Sequence, residues 1–246
     1  MRDRIGPFRS EDLTLLYQPL VDARSHAIIG AEALLRLREP GGTLDGPASV
    51  IDALTAPEER AVLDWWVLER VCQDARNWPD LRIGMNICTE HVTDPGFAAQ
   101  ALEIVAAEGL PPDQLEIEVV ETGIIDDFES ARENFVALRA AGIRIAIDDF
   151  GTGYSSLSYL ARLPVDTIKI DQSFVAALDE VASVAVIQAT TAMARALGLK
   201  VTAEGVEDAV QAQTLRAFGC HCLQGFHFSR PVPADAFTAM RENRPW

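Results

Sequence analysis

The sequence predicts an α/β fold: an irregular TIM (β/α)8 barrel whose first strand runs antiparallel, with residues 1–246 forming a single domain. Three observations predict it. Short β-rich runs alternate with amphipathic helical segments almost to the end of the chain. Each run is apolar on one parity and ends in a polar residue on the other, as barrel strands do when they pack outward against helices. The first two runs are joined only by VDARSHAI, too short for a helical crossover, so they are expected to pair as a hairpin. A doubly wound open sheet shares the alternation and is the competing architecture.

The expected strands span 14–21, 28–37, 82–88, 115–121, 143–149, 167–171, 200–206 and 220–225. Between them, 61–78, 96–109 and 130–142 carry helical periodicity, and 173–198 reads as one long alanine-rich helix. Trp65 and Trp66 read as core. Parity is the most informative signal. Ile83, Met85 and Ile87 alternate with Gly84, Asn86 and Cys88; Leu115, Ile117 and Val119 with Glu116, Glu118 and Val120. Ile143, Ile145 and Ile147 oppose Ala146 and Asp148, and Ile168 and Ile170 oppose Thr167, Lys169 and Asp171. Val201 and Ala203 oppose Thr202 and Glu204.

The length and the 48% hydrophobic content suit a globular chain with a sizeable core. A net charge of −16 argues against a nucleic-acid polymer as partner, because phosphate contacts need a basic surface. It is compatible with a small phosphorylated ligand held through divalent cations. The four cysteines form no CxxC pair, and alternation sets His221 opposite the thiols of Cys220 and Cys222, against zinc. No apolar run approaches membrane-span length and MRDRIGPFRSEDL lacks a signal-like apolar segment, so a cytoplasmic protein is expected.

With the apolar parity outward, the strand ends present a ring: Glu32, Asn86, Glu118, Asp148, Lys169, Glu204 and Gln224. Carboxylates facing one cavity repel, and divalent cations relieve the repulsion. Glu32, Asn86, Glu118 and Asp148 offer the oxygen ligands that Mg²⁺ or Mn²⁺ prefers. Asp149 lets the same strand end reach a second ion, with Asp148 as a bridge. Two such ions suit in-line attack of water on a phosphodiester. Lys169 could hold the water or neutralise the phosphate, and Glu204 could ligate the second ion or accept the water's proton. Each residue also has a plainer reading: an isolated strand-end Glu caps a loop, and Lys169 pairs with Asp148 or Asp171. Glu116 shares the inward parity, lies deeper, and has no assigned part.

At these residues the chain closely resembles the EAL-domain family of cyclic di-GMP phosphodiesterases. Glu32-Ala33-Leu34 stands within GAEALLR, preceded by Tyr17-Gln18-Pro19; DDFGTGYSSL (148–157), IKID (168–171), AEGVE (203–207) and QGF (224–226) follow in order. The resemblance implies linearisation of cyclic di-GMP to 5′-pGpG with Mg²⁺ or Mn²⁺, two ions in number. It matches Glu32, Asn86, Glu118, Asp148 and Asp149 to metal ligands, and Lys169 and Glu204 to residues acting on the water. Gln18, Arg36 and Gln224 match substrate contacts, and Glu121 and Glu207 match residues bracing the loop after Asp149. It further implies a homodimer through 150–162. Departures are Val120 for the usual Thr, Cys88 for Ser, Leu37 for Trp, Phe226 for Tyr, and a poorly matched segment 46–61. An active enzyme is the leading expectation. A receptor or interaction module that binds without turnover is the alternative, and a barrel acting on another diester, such as a glycerophosphodiester, is the third.

Overall fold

The computed structural model describes residues 4–39, 41–120, 127–152, 160 and 162–243. After a small antiparallel hairpin, β1 (Arg4–Ile5) with β2 (Phe8–Arg9), the chain enters β3 (Leu13–Asp22) and turns directly into β4 (Ile28–Arg38). The turn between them is held by Asp22, whose side chain accepts from Ser25 N (2.7 Å) and Arg24 N (3.0 Å). Residues 21–28 therefore make the expected hairpin, and β3 runs antiparallel to β4. β5 (Leu44–Asp45) adds a short antiparallel edge to the far end of β4.

From β4 the ladder continues in parallel through β6 (Arg82–Asn86), β7 (Leu115–Val120), β8 (Arg144–Phe150), β9 (Thr167–Ile170), β10 (Lys200–Ala203) and β11 (Cys222–Leu223). β11 then pairs antiparallel with β3, which closes the sheet. The barrel is the predicted irregular one, with β3 antiparallel to both of its neighbours; an open sheet would leave β3 and β4 at opposite edges. Several strands are shorter than the sequence suggests. β10 and β11 stop at Ala203 and Leu223 because the chain then turns over the barrel mouth.

Helices wrap the outside: α1 (Pro47–Ala53), α2 (Pro57–Ala75), α3 (Thr89–Val92), α4 (Phe97–Glu108), α5 (Phe128–Ala141), α6 (Gln172–Ala176), α7 (Val181–Leu197), α8 (Ala209–Phe218) and α9 (Ala234–Asn243). Proline at the first helical position, where no N–H is needed, starts α1 and α2. Asp127, Asp171 and Asp208 cap α5, α6 and α8 through their side chains. Glycines in left-handed conformation end α4, α5, α7 and α8. The outward strand parity, including Ile83, Met85, Ile117, Ile145, Ile168 and Val201, is fully buried against these helices.

The single helix expected over 173–198 is instead two, α6 and α7. At about 100° per residue, Val175 would lie roughly 100° away from the stripe of Ser183, Ile187, Thr190 and Ala194 on a continuous helix. The break after Ala176 resets the phase, so both faces reach the core.

Asn134 of α5 fastens the top of the neighbouring layer: Nδ2 donates to Val92 O (2.8 Å) and Asp94 O (2.7 Å), and Oδ1 accepts from Ala98 N (3.2 Å). Asn134→Ala strands these buried groups and is expected to destabilise the domain by roughly 2–4 kcal/mol, read as a lowered urea midpoint; an unchanged midpoint would contradict this role.

Candidate active site

The carboxyl ends of the barrel strands meet at one mouth, and the predicted ring is assembled there. Lys169 stands at its centre on β9, fully buried. Its Nζ lies 3.3 Å from Glu32 Oε2, 3.2 Å from Asp148 Oδ1 and 2.6 Å from Glu204 Oε1, and it also contacts Glu118 Oε2. Asp171, the other partner considered for Lys169, caps α6 by accepting from Ser173 N at 3.1 Å. On the opposite flank, Glu32 accepts from Asn86 Nδ2 (2.8 Å) and from Gln224 Nε2 (2.7 Å), and Gln224 Nε2 also reaches Gln18 Oε1 (3.0 Å).

The pair Asp148-Asp149 breaks strand alternation by a bulge. Ile147 pairs with Ile168, yet Phe150 pairs with Ile170, so β8 carries one extra residue between them. Asp149 absorbs it at φ 53°, a left-handed conformation that few non-glycine side chains tolerate as well as Asp does. Strict alternation would turn Asp149 away from the mouth. The bulge instead brings oxygens of Asp148, Asp149 and Glu204 within 4.8 Å of one another. A second trio, Glu32, Glu118 and Asp148, meets the same limit, and Asp148 belongs to both.

Burial makes this charge expensive. It pushes the Glu118 carboxyl well above its ordinary range, against the pull of Lys169, and pushes Glu204 up to about 8. Burial and the neighbouring Asp148 raise Asp149 as well. For Lys169 burial acts downward, but Glu118, Glu204, Glu32 and Asp148 outweigh it and hold the ammonium well above its usual value. Glu32 falls below the ordinary range: burial opposes this, and Lys169 with the Gln224 and Asn86 amides overcomes it. Glu118 Oε1 is buried without a hydrogen-bond partner. An oxygen so placed, in an all-oxygen cluster with one ammonium, fits divalent cations of the Mg²⁺ or Mn²⁺ type.

Backbone geometry makes room for that oxygen. A Cβ on Gly84 would overlap Glu118 Oε1, so only glycine at this β6 position lets the carboxylate fold across the interior. Below it, Glu116 is buried in the barrel interior and accepts from Thr167 Oγ1 at 3.0 Å.

Above the ring opens a cavity of about 530 Å³ lined by Gln18, Glu32, Arg36, Glu204, Glu207, Gln224, Phe226 and Arg230. Phe226 is exposed there, and the Arg230 guanidinium sits 4.2 Å from its ring centroid. Sequence reading missed Arg230, because it follows the last strand and belongs to no periodic pattern; its one sequence signal is its place just beyond QGF. A second cavity of about 350 Å³ lies against Asn86 and is largely apolar, with Leu34, Leu35, Ile51, Val67 and Val120 in its wall. Val120 and the divergent segment 46–61 therefore meet at this cavity, through Pro47 and Ile51. Glu207 faces the larger cavity, and its backbone N donates to Gln211 Oε1 at 2.7 Å. Glu121 lies outside the described residues, as does most of 150–162.

A sequence family described as the EAL domain matches residues 2–231. The chain belongs to the EAL-domain family. It is 38% identical over 242 residues to an uncharacterized signaling protein of Caulobacter vibrioides, covering 96% of this chain and 30% of that protein. An uncharacterized protein of Mycobacterium tuberculosis is 38% identical over 235 residues, covering 91% of this chain and 76% of its own length. This EAL domain thus spans under a third of the Caulobacter relative. Among solved structures, the PaMucR phosphodiesterase in complex with c-di-GMP superposes with a TM-score of 0.87 at 36% identity, over 92% of this chain and 94% of that one. Klebsiella pneumoniae BlrP1, in a manganese and cyclic di-GMP complex, gives a TM-score of 0.80 at 31% identity, over 94% of this chain and 58% of that one. No helix among the described residues is long and apolar enough to cross a membrane.

Two outcomes test this site. Gly84→Ala should displace the Glu118 carboxylate and weaken Mn²⁺ binding about tenfold or more by calorimetry, whereas unchanged affinity would refute the close packing. Glu204 has a folded-state pKa of about 8 against an ordinary 4.5. Folding therefore favours its neutral form: its contribution is fully present below the unfolded pKa and is lost as pH rises through about 8. In chelator, the melting temperature should drop more between pH 6 and pH 8 for the wild type than for Glu204→Gln; parallel drops would refute the assignment.

Proposed function

We propose that this EAL domain hydrolyses cyclic di-GMP to linear 5′-pGpG, using two Mg²⁺ or Mn²⁺ ions at the barrel mouth. The observation that carries the reading is the pair of carboxylate trios sharing Asp148. Glu32, Asn86, Glu118 and Asp148 would hold one ion, and Asp148 with Asp149 the other. Divalent ions so held supply Lewis acidity, which makes water a competent nucleophile at neutral pH and stabilises charge on the phosphate.

The chain's own groups do the rest. Lys169, kept cationic by its four carboxylates, neutralises charge as the phosphorane forms and fixes the water by donating a hydrogen bond to it. Glu204, 2.6 Å from Lys169 Nζ and at the edge of the larger cavity, would be ionised by cations bound beside it and, as the carboxylate, would accept the water's proton. The water oxygen bonds to phosphorus as the P–O3′ bond breaks, and the 3′ oxygen leaves and is protonated by solvent. Gln18 and Gln224 form one amide wall of the cavity; Gln18 Nε2 is anchored on Ser229 O at 3.0 Å. Arg36, half-buried beside them, would meet the second phosphate of the ring, and the exposed Phe226 ring a guanine base. Glu207 and Glu121 complete the reading as braces of the loop after Asp149. A homodimer through 150–162 belongs to the same proposal; within that range Arg162 donates to Glu129 (3.1 Å) and covers the Phe128 ring (4.6 Å).

The test is direct. Purified protein with Mn²⁺ should convert cyclic di-GMP to a product that co-elutes with 5′-pGpG. Glu118→Gln and Asp148→Asn should lower turnover on the order of 10²–10³-fold or more with the circular dichroism unchanged. Cyclic di-GMP bound by the wild type without product would establish the receptor reading instead, and product from a panel of other diesters alone would establish the third.

A further inference from the structure

Asp64 is a buried carboxylate that the proposed reaction does not use. It sits on α2 and is 4% exposed. One of its oxygens, Oδ2, serves two groups: Cys88 N donates to it at 3.2 Å, and His91 Nδ1 lies 2.9 Å away. Cys88 is the N-cap of α3 and offers no side-chain cap of its own, while His91 lies within that four-residue helix. A single oxygen from a neighbouring helix thus grips both ends of the turn. The His91 ring is itself fixed, edge-on to Trp65 (4.3 Å) and to Phe97 (4.9 Å).

What this turn follows gives the arrangement its meaning. Asn86 is the last residue of β6, and its side chain is exposed at the mouth. The next tie to β7 is Ile87 N to Glu118 O at 3.0 Å, and Thr89 Oγ1 of α3 then reaches Val120 O at 3.5 Å. Between these two ties, Asp64 holds the backbone at Cys88 N. A buried carboxylate and imidazole stabilise a fold no better than apolar side chains of similar size, so their merit here is geometric.

We propose that Asp64 and His91 are positioning residues for the cation site: by clamping Cys88 and α3, they hold Asn86 against Glu32. This rests on the functional reading above. Removing the clamp should let the Asn86 amide leave Glu32 Oε1 and so weaken the ion that Asn86 and Glu32 share. Outer-shell partners of metal ligands typically matter by 10–100-fold in affinity. A clamp acting through the backbone falls at the lower end, about tenfold.

Mn²⁺ titration calorimetry on the intact chain, without substrate, tests this. His91→Leu should raise the apparent Mn²⁺ Kd of the tighter site about tenfold. His91→Gln, which keeps a donor for Asp64, should restore most of the loss, and Asp64→Leu, which removes the shared acceptor at similar volume, should raise the Kd by the same factor and is the second probe if His91→Leu does not fold. The decisive comparison is a double-mutant cycle. In an Asn86→Ala background, His91→Leu should change the Kd less than about twofold. A clamp that only stabilises the fold would lower the melting temperature and leave Mn²⁺ affinity unchanged, which overturns the proposal. An equal loss in the Asn86→Ala background also overturns it. Wild-type protein that binds no Mn²⁺ would sink the functional reading at the first titration, and this inference with it.

Discussion

One ammonium cannot neutralise the acids gathered at the barrel mouth, and the rest of the site is organised around that imbalance. Lys169 touches Glu32, Glu118, Asp148 and Glu204 at once, and Asp149 stands just beyond. Closing the sheet on itself buries these groups, and burial penalises each unpaired charge. The residues are held there by rigid backbone: strand ends in a hydrogen-bonded ladder cannot swing apart to relieve repulsion. Divalent cations would complement such a rigid acidic cluster.

Local features that look unrelated serve this arrangement. The bulge in β8 spends one residue to turn two consecutive aspartates toward one point, and Asp149 accepts a left-handed backbone to do so. Gly84 leaves the volume that Glu118 Oε1 fills. Lys169 keeps Glu32 ionised, and Gln224 and Asn86, both donating to it, add to this and fix its aim. Around this centre the mouth divides into a polar cavity between Arg36 and Arg230 and an apolar one against Val120 and Ile51. The two differ in the ligand surface they suit: charged and amide groups for phosphate and base edges, hydrocarbon for a flat apolar face.

Much of this is visible in the chain itself. Two-residue alternation, together with the polar residue closing each strand, places Glu32, Asn86, Glu118, Asp148, Lys169, Glu204 and Gln224 on one rim, and the structure brings them together. The short 21–28 link correctly gives the antiparallel start. What alternation cannot reveal is where it fails. The bulge at Asp149 depends on the β8–β9 register, which no single strand encodes. The break between α6 and α7 comes from the angle between two buried faces, and an alanine-rich run conceals it because every position tolerates helix. Arg230, Asp64 and His91 take their roles from contacts across long stretches of sequence. Each looks ordinary beside its own neighbours.

The proposed reaction requires two divalent cations among these side chains, sharing Asp148. Crystals grown with Mn²⁺ and cyclic di-GMP, measured at the manganese absorption edge, test it most directly. Two anomalous peaks about 4 Å apart are expected, one against Glu32, Glu118 and Asp148, the other against Asp148 and Asp149. Anomalous density elsewhere on the surface, with Lys169 still bound to all four carboxylates and none at the mouth, would contradict it.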